Sequence, residues 1–150
     1  MTGPGWIAAE SCSGVCTTLS GTTLFRVGCV DTSCLVAIAF GERGAASVLR
    51  RLEKLDYLVA SNVLEGELCA AFAREATPFD DSMTAGMTWI LPDRSLQPEI
   101  EQTIAAGYLR GADLWHVACA LFLVNDPREI AFLTRDERQR SVAKALGFKT

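Results

Sequence analysis

Leu24-Phe25-Arg26-Val27-Gly28-Cys29-Val30-Asp31-Thr32-Ser33 is the stretch on which the fold turns. Its first seven residues are rich in β-formers and read as a strand. Asp31-Thr32-Ser33 ends that strand, and Ser33 is placed to cap a short apolar helix through Phe40. Strand and helix then keep alternating. Ala45, Val48, Leu49, Leu52 and Leu55 share a face at 3.6 spacing, which predicts a second helix. Tyr57 to Ala60 is a short strand, and Ser61 caps a helix to about Ala76. Thr77 to Ser82 is a loop, and Thr88 to Leu91 is a strand stopped by Pro92. Helices follow over about 95–107 and 112–124, then a turn at Asn125-Asp126-Pro127. Ile130 to Thr134 is the last strand, and a helix over 137–146 is closed by Gly147. Such alternation predicts an α/β chain with a parallel sheet covered by helices on both faces. In these sheets the functional crevice lies beyond the carboxyl ends of the strands.

The chain has 150 residues, enough for one domain, and at 49% hydrophobic it can build a core without disulfide or metal staples. Lys and Arg number 14 against 18 Asp and Glu, for a net charge of −4. Tight nucleic-acid binding through net charge is excluded, while a local basic rim stays open. Residues 1–23 carry one charge, Glu10, and no sustained period. They are expected to be a flexible N-terminal extension, or the product of a start codon assigned too far upstream, before a domain over 24–150. Cys12 and Cys16 have the spacing of half a metal site, but incidental thiols are the better reading because no partner ligands are near. Cys29, Cys34, Cys69 and Cys119 lie in apolar runs with no two-residue gap, so they are expected to act as small hydrophobes. With no secretory signal and no apolar run that spans a bilayer, the expectation is a reduced, cytoplasmic chain with no membrane partner.

The one histidine, His116, excludes more chemistry than any other feature. A two-histidine ribonuclease, a zinc helix with paired histidines and a His-rich metal site all need more. Acid–base or metal chemistry must therefore rest on carboxylates, cysteines or hydroxyls. A Ser-His-Asp triad is disfavoured, because no serine lies locally beside His116.

Four carboxylates stand out. Asp31 follows the first strand, where ligands bind, although a turn or helix-cap role explains it equally well. Glu67 has Val63, Leu64, Ala70 and Ala71 at its three- and four-residue spacings. It is expected inside the inward-facing arc of its helix, with a buried salt bridge to an arginine as the alternative. Asp113 heads the apolar stripe Val117, Ala120, Leu121 and Val124, although an Asp in a first turn also suits the helix dipole. Asp136 follows the last strand and, with Gln139, also fits a capping box. A doubly wound sheet brings all four to one edge, where they repel unless a cation is present. Oxygen donors without His or Cys select Mg2+ or Mn2+, and such a cage suits phosphodiester hydrolysis. Neutralising Asp113 or Glu67 is then expected to stabilise the metal-free chain.

These positions form motifs. Val30-Asp31-Thr32-Ser33-Cys34-Leu35-Val36-Ala37 resembles the opening motif of PIN-domain nucleases, especially bacterial VapC-type toxins. Ser61 through Glu67-Leu68 is similar to their second motif. Arg110-Gly111-Ala112-Asp113-Leu114-Trp115-His116-Val117-Ala118 is similar to the third. Phe132-Leu133-Thr134-Arg135-Asp136, then Leu146-Gly147-Phe148, resembles the closing motif. The resemblance covers about residues 27–148.

It implies a PIN-like α/β/α sandwich and Mg2+- or Mn2+-dependent RNA cleavage that leaves 5′-phosphate and 3′-hydroxyl ends. It makes Asp31, Glu67, Asp113 and Asp136 the catalytic, metal-holding set, supported by Thr134 and Ser33. His116 resembles the family's packing histidine. Arg110 and Arg135 are candidate substrate contacts and, with Arg43 and Arg138, a candidate basic rim. Each of these arginines also reads as solvated surface charge. An aspartyl-phosphate hydrolase is disfavoured, since its second Asp would stand where Ser33 is. The expected function is the endoribonuclease toxin of a type II toxin–antitoxin pair, with RNA as substrate, a cognate antitoxin as partner and a homodimer as a further option. The alternatives are a PIN nuclease of RNA maturation or DNA processing, or a PIN docking module that does not cut.

Overall fold

The computed structural model describes residues 25–150. The expected extension over 1–23, with Cys12 and Cys16, lies outside the described residues. Strand β1 (Val27–Val30) leads into helix α1 (Thr32–Ala39), then α2 (Ala45–Leu52) and β2 (Tyr57–Ser61). Helix α3 (Val63–Arg74), strand β3 (Thr88–Ile90), and helices α4 (Gln97–Ala106) and α5 (Gly111–Leu123) follow. Strand β4 (Ala131–Leu133) and α6 (Glu137–Ala145) complete the order. Single 3-10 turns sit at Asp81–Thr84 and Pro127–Glu129.

All strand pairings are parallel, in the order β3-β2-β1-β4. The chain steps outward from β1 through β2 to β3 and then returns to the other side of β1. The direction of winding thus reverses between β1 and β4. Such a switch point leaves a crevice at the carboxyl ends, because successive connections leave to opposite sides. Asp31 follows β1 there, and Thr134 to Asp136 follow β4.

Strand side chains alternate between faces. Val30, Ala60 and Leu133 pack with Leu35, Leu64, Leu68 and Phe72 from α1 and α3. Cys29, Val59 and Phe132 pack on the opposite face with Leu96, Val117, Ala118 and Val142 from the chain around α4, α5 and α6. The two cores make an α/β/α sandwich, as expected. Burying each large apolar side chain contributes about 1.5–3 kcal/mol. Gly28 is closely approached: a Cβ there would come within 2.3 Å of Leu55 Cδ1 and 2.9 Å of Leu133 Cδ1, so both leucine tips would have to shift.

Four local expectations are corrected. Asp31, not Ser33, caps α1, accepting from the Ser33 backbone N–H at 3.1 Å. Ser61 caps nothing, because β2 runs one residue further and takes it in; Asn62 precedes α3 with no side-chain cap bond. Helix α2 stops at Leu52, short of Leu55, and Leu49 is exposed. Cys29, Cys34 and Cys119 are free, buried thiols, but Cys69 is exposed, as is its neighbour Ala70. No helix among the described residues is long and apolar enough to cross a membrane.

Candidate active site

The alternation that builds the two cores also aims the polar residues. Ser61 lies two residues beyond Val59, Asp31 two beyond Cys29, and Thr134 two beyond Phe132. All three therefore face the layer of α5 and α6, from which His116, Asp113 and Gln139 approach.

His116 is almost wholly buried. Its Nδ1 lies 2.7 Å from Ser61 Oγ, and its Nε2 lies 2.8 Å from Glu67 Oε2 and 3.5 Å from Asp31 Oδ1. Facing carboxylate oxygens, Nε2 carries a proton and donates it. The Thr32 hydroxyl donates to the same Glu67 oxygen at 2.5 Å. Glu67 is consequently held below the usual carboxylate range, first by the His116 hydrogen bond and further by Thr32, against the opposing effect of burial. The partner of Glu67 is thus the histidine, where an arginine was the alternative. Glu67 sits at the edge of its helix's buried face, about one-third exposed, because Ala70 beside it is open to solvent.

A serine does stand beside His116, contrary to the local reading. Ser61 reaches it across the layers from 55 residues away in the chain. It is completely buried, so no substrate can reach its hydroxyl, and the pair does not form a nucleophilic triad.

Asp31 is buried and accepts three hydrogen bonds. They come from the Ser33 N–H at 3.1 Å, the Thr134 hydroxyl at 3.2 Å and Gln139 Nε2 at 3.3 Å. Thr134 Oγ1 also accepts from the Asp136 N–H, and Ser33 Oγ accepts from the Arg135 N–H, both at 3.0 Å. These bonds tie the end of β4 to the start of α1. The cap and cleft roles of Asp31 therefore coexist.

Asp113 and Asp136 complete the rim of a cleft of about 330 Å3 that Asp31 and Glu67 also line. Asp136 accepts from the Gln139 N–H at 2.7 Å, which is half of a capping box. The other half is absent, because the Gln139 side chain turns inward to Asp31 and to the Asp113 carbonyl, both at 3.3 Å. Asp113 is raised above the ordinary aspartate value, first by burial and then by the charges of Asp31 and Asp136. No hydrogen bond reaches its carboxylate among the described residues.

Arg110 is exposed at the start of α5 and bonds to none of these carboxylates. Arg135 pairs with Glu42 and donates to the Arg43 carbonyl, away from the cleft. Arg43 and Arg138 are exposed. The exposed Arg74 of α3 lines the cleft, a cation that the sequence motifs do not include.

The model of the PIN domain family matches residues 28–145. This chain belongs to the PIN-domain family. No curated protein and no solved structure matches it. PIN domains are generally metal-dependent nucleases that act on nucleic acids, so this PIN domain is at the coarse level a phosphodiester hydrolase.

The cleft's donor set fits a hard divalent cation in its chemistry. Its four ionisable acids are all carboxylates, flanked by hydroxyls, and the charges acting on Asp113 show a mutual repulsion that a cation relieves. Its spacing is open, since no three Asp, Glu, His or Cys residues among the described ones close into a ready cation cage.

Sequence reading gave Gln139 only a capping role and undervalued Ser61 and His116. For Gln139 a signal existed: Val142 and Ala143, three and four residues on, place it on the inward face of α6. One of its polar atoms, Oε1, is buried without a partner among the described residues. That arrangement persists because the amide nitrogen is the end Asp31 needs.

Proposed function

We propose that this PIN domain is a Mg2+-dependent endoribonuclease, with Mn2+ as a substitute, and the toxin of a type II toxin–antitoxin pair acting in the cytoplasm. The observation that carries the nuclease reading is the convergence of Asp31, Glu67, Asp113 and Asp136 on one cleft at the sheet's switch point. The motif resemblance to VapC-type toxins supports RNA as substrate and an antitoxin as partner.

Asp31, Glu67, Asp113 and Asp136 would hold the cation. When bound, it supplies a water of lowered pKa and neutralises charge building on the phosphate. The chain's own part is orientation. Thr134 and Gln139 fix the Asp31 carboxylate, while His116 and Thr32 fix Glu67. Burial of Ser61 and His116 keeps water out from beneath the cleft, which strengthens these bonds. The exposed Arg74 stands where it can meet a phosphate entering the cleft.

The test is incubation of the full chain with a labelled single-stranded RNA and a DNA of the same sequence. Cleavage of the RNA with Mg2+, and its abolition by EDTA, are expected. Cutting of DNA alone points to DNA processing, and binding without cutting in Mg2+ or Mn2+ points to a docking module.

A further inference from the structure

A second cavity, of about 200 Å3, opens between α2 and the turn from β4 to α6. Arg51, Arg135 and Arg140 line it, with Ser47 at the start of α2 and Cys34 and Thr134 on the sheet side. No carboxylate contributes to its wall. Arg135 is neutralised by Glu42, and Arg140 donates to Glu137 at 2.5 Å and to the Thr134 carbonyl at 2.8 Å. The Arg51 guanidinium makes neither an ion pair nor a hydrogen bond among the described residues, while its backbone carbonyl serves the end of α2. The cavity therefore has one uncompensated guanidinium and two more held in place by their own partners. Thr134 and Arg135 line it, and Asp136, next in the chain, lines the acidic cleft.

Opposite charge on either side of one turn has a physical consequence. Four carboxylates repel a polyanion, and the chain's net charge of −4 offers no general attraction. Arginine is suited to a phosphate because its planar fork of donors matches two oxygens at once. We propose that this arginine-lined cavity binds a phosphodiester of the RNA strand beside the one that is cut. The site anchors the strand so that the neighbouring phosphate reaches the carboxylates. This inference rests on the ribonuclease reading above.

The test titrates the full chain into a fluorescently labelled single-stranded oligoribonucleotide in EDTA, over a series of KCl concentrations. Binding is then read without cleavage. Arg51→Gln is expected to weaken binding several-fold. It should also make the plot of log affinity against log salt shallower by about 0.7, the value for one phosphate contact on a single strand. Ser47→Glu sets a negative charge at the cavity and is expected to weaken binding similarly. Arg50→Gln removes the same charge from the same helix outside the cavity, and its slope should match wild type. Wild-type affinity and slope in both cavity variants overturns the proposal. So does an equal loss in Arg50→Gln, which reduces the effect to overall charge. Arg51-dependent binding without cleavage in Mg2+ or Mn2+ sinks the nuclease reading and leaves the cavity as a strand-binding site. Cleavage with a KM indifferent to Arg51→Gln sinks the cavity alone.

Discussion

The two sides of the acidic cleft are built differently. Asp31 and Glu67 are braced: five hydrogen bonds reach their carboxylates, from Ser33, Thr134, Gln139, Thr32 and His116. Asp113 has no such bond among the described residues, and Asp136 uses its own to cap α6. The electrostatics follow the bracing. Glu67 is shifted down by its donors, whereas Asp113 is shifted up by burial and by its acidic neighbours. Half of the site is thus set before any ligand arrives. The other half stays in electrostatic conflict until positive charge enters. An even cage would place equal strain on all four residues, and this one does not.

The sharpest way to break this comparison is Asp31→Asn. The amide keeps the shape but loses the charge, and one of its ends now offers donors to Thr134 and Gln139, which already donate. Loss of the cation's several kcal/mol of transition-state stabilisation corresponds to about a thousandfold in rate. RNA cleavage by this variant within tenfold of wild type would remove Asp31 from the chemistry.

A smaller effect, on stability, is expected from His116→Ala. The substitution leaves Ser61 buried without its partner and takes a donor from Glu67. A buried polar group left unpaired costs about 1–3 kcal/mol, and the cavity left by the ring adds to it. The urea midpoint should fall accordingly in EDTA, where metal binding plays no part. A loss below about 1 kcal/mol would mean that the braced side does not depend on its histidine.

What the sequence revealed follows the same division. The sandwich was legible because its cause is local: apolar periods of 2 and 3.6 separated by turn residues. The four carboxylates were legible because each sits at a strand end or beside apolar helix neighbours. The bracing was not. Ser61 looked like a cap because Ser before a helical run usually is one, and only the extra residue of β2 turns it toward α5. The Ser61–His116 contact spans 55 residues and the Gln139–Asp31 contact 108, so neither leaves a local pattern. The inward position of Glu67 was overstated for a related reason. Alanine counts as apolar in a pattern, yet Ala70 is exposed, and only the packing reveals it.

The finest distinction is between two neutralising substitutions that the sequence treats alike, both expected to stabilise the metal-free chain. The structure separates them by sign. Glu67 has a folded pKa below its ordinary 4.5, so its stabilising contribution is present above that value and is lost as pH falls through the folded pKa. Asp113 has a folded pKa above its ordinary 3.8, so it favours the folded state only when protonated and becomes a penalty as pH rises through the folded pKa. Near neutral pH the two effects are opposed in sign. In EDTA at pH 7, Asp113→Asn should therefore raise the melting temperature and Glu67→Gln should lower it. The gain from Asp113→Asn should fade below about pH 3.8, where Asp113 is protonated in both states. With Mg2+ added, wild type should rise above both variants. A cation that binds only the folded wild type stabilises it by roughly 2.7 kcal/mol at a hundredfold excess over its dissociation constant, and a variant lacking a ligand gains less. If Asp113 served only the dipole of α5, Asp113→Asn would instead cost about 0.3–1 kcal/mol with or without Mg2+. Melting curves of the three proteins at two pH values, with EDTA and with Mg2+, decide between a site in conflict and a helix start carrying an ordinary charge.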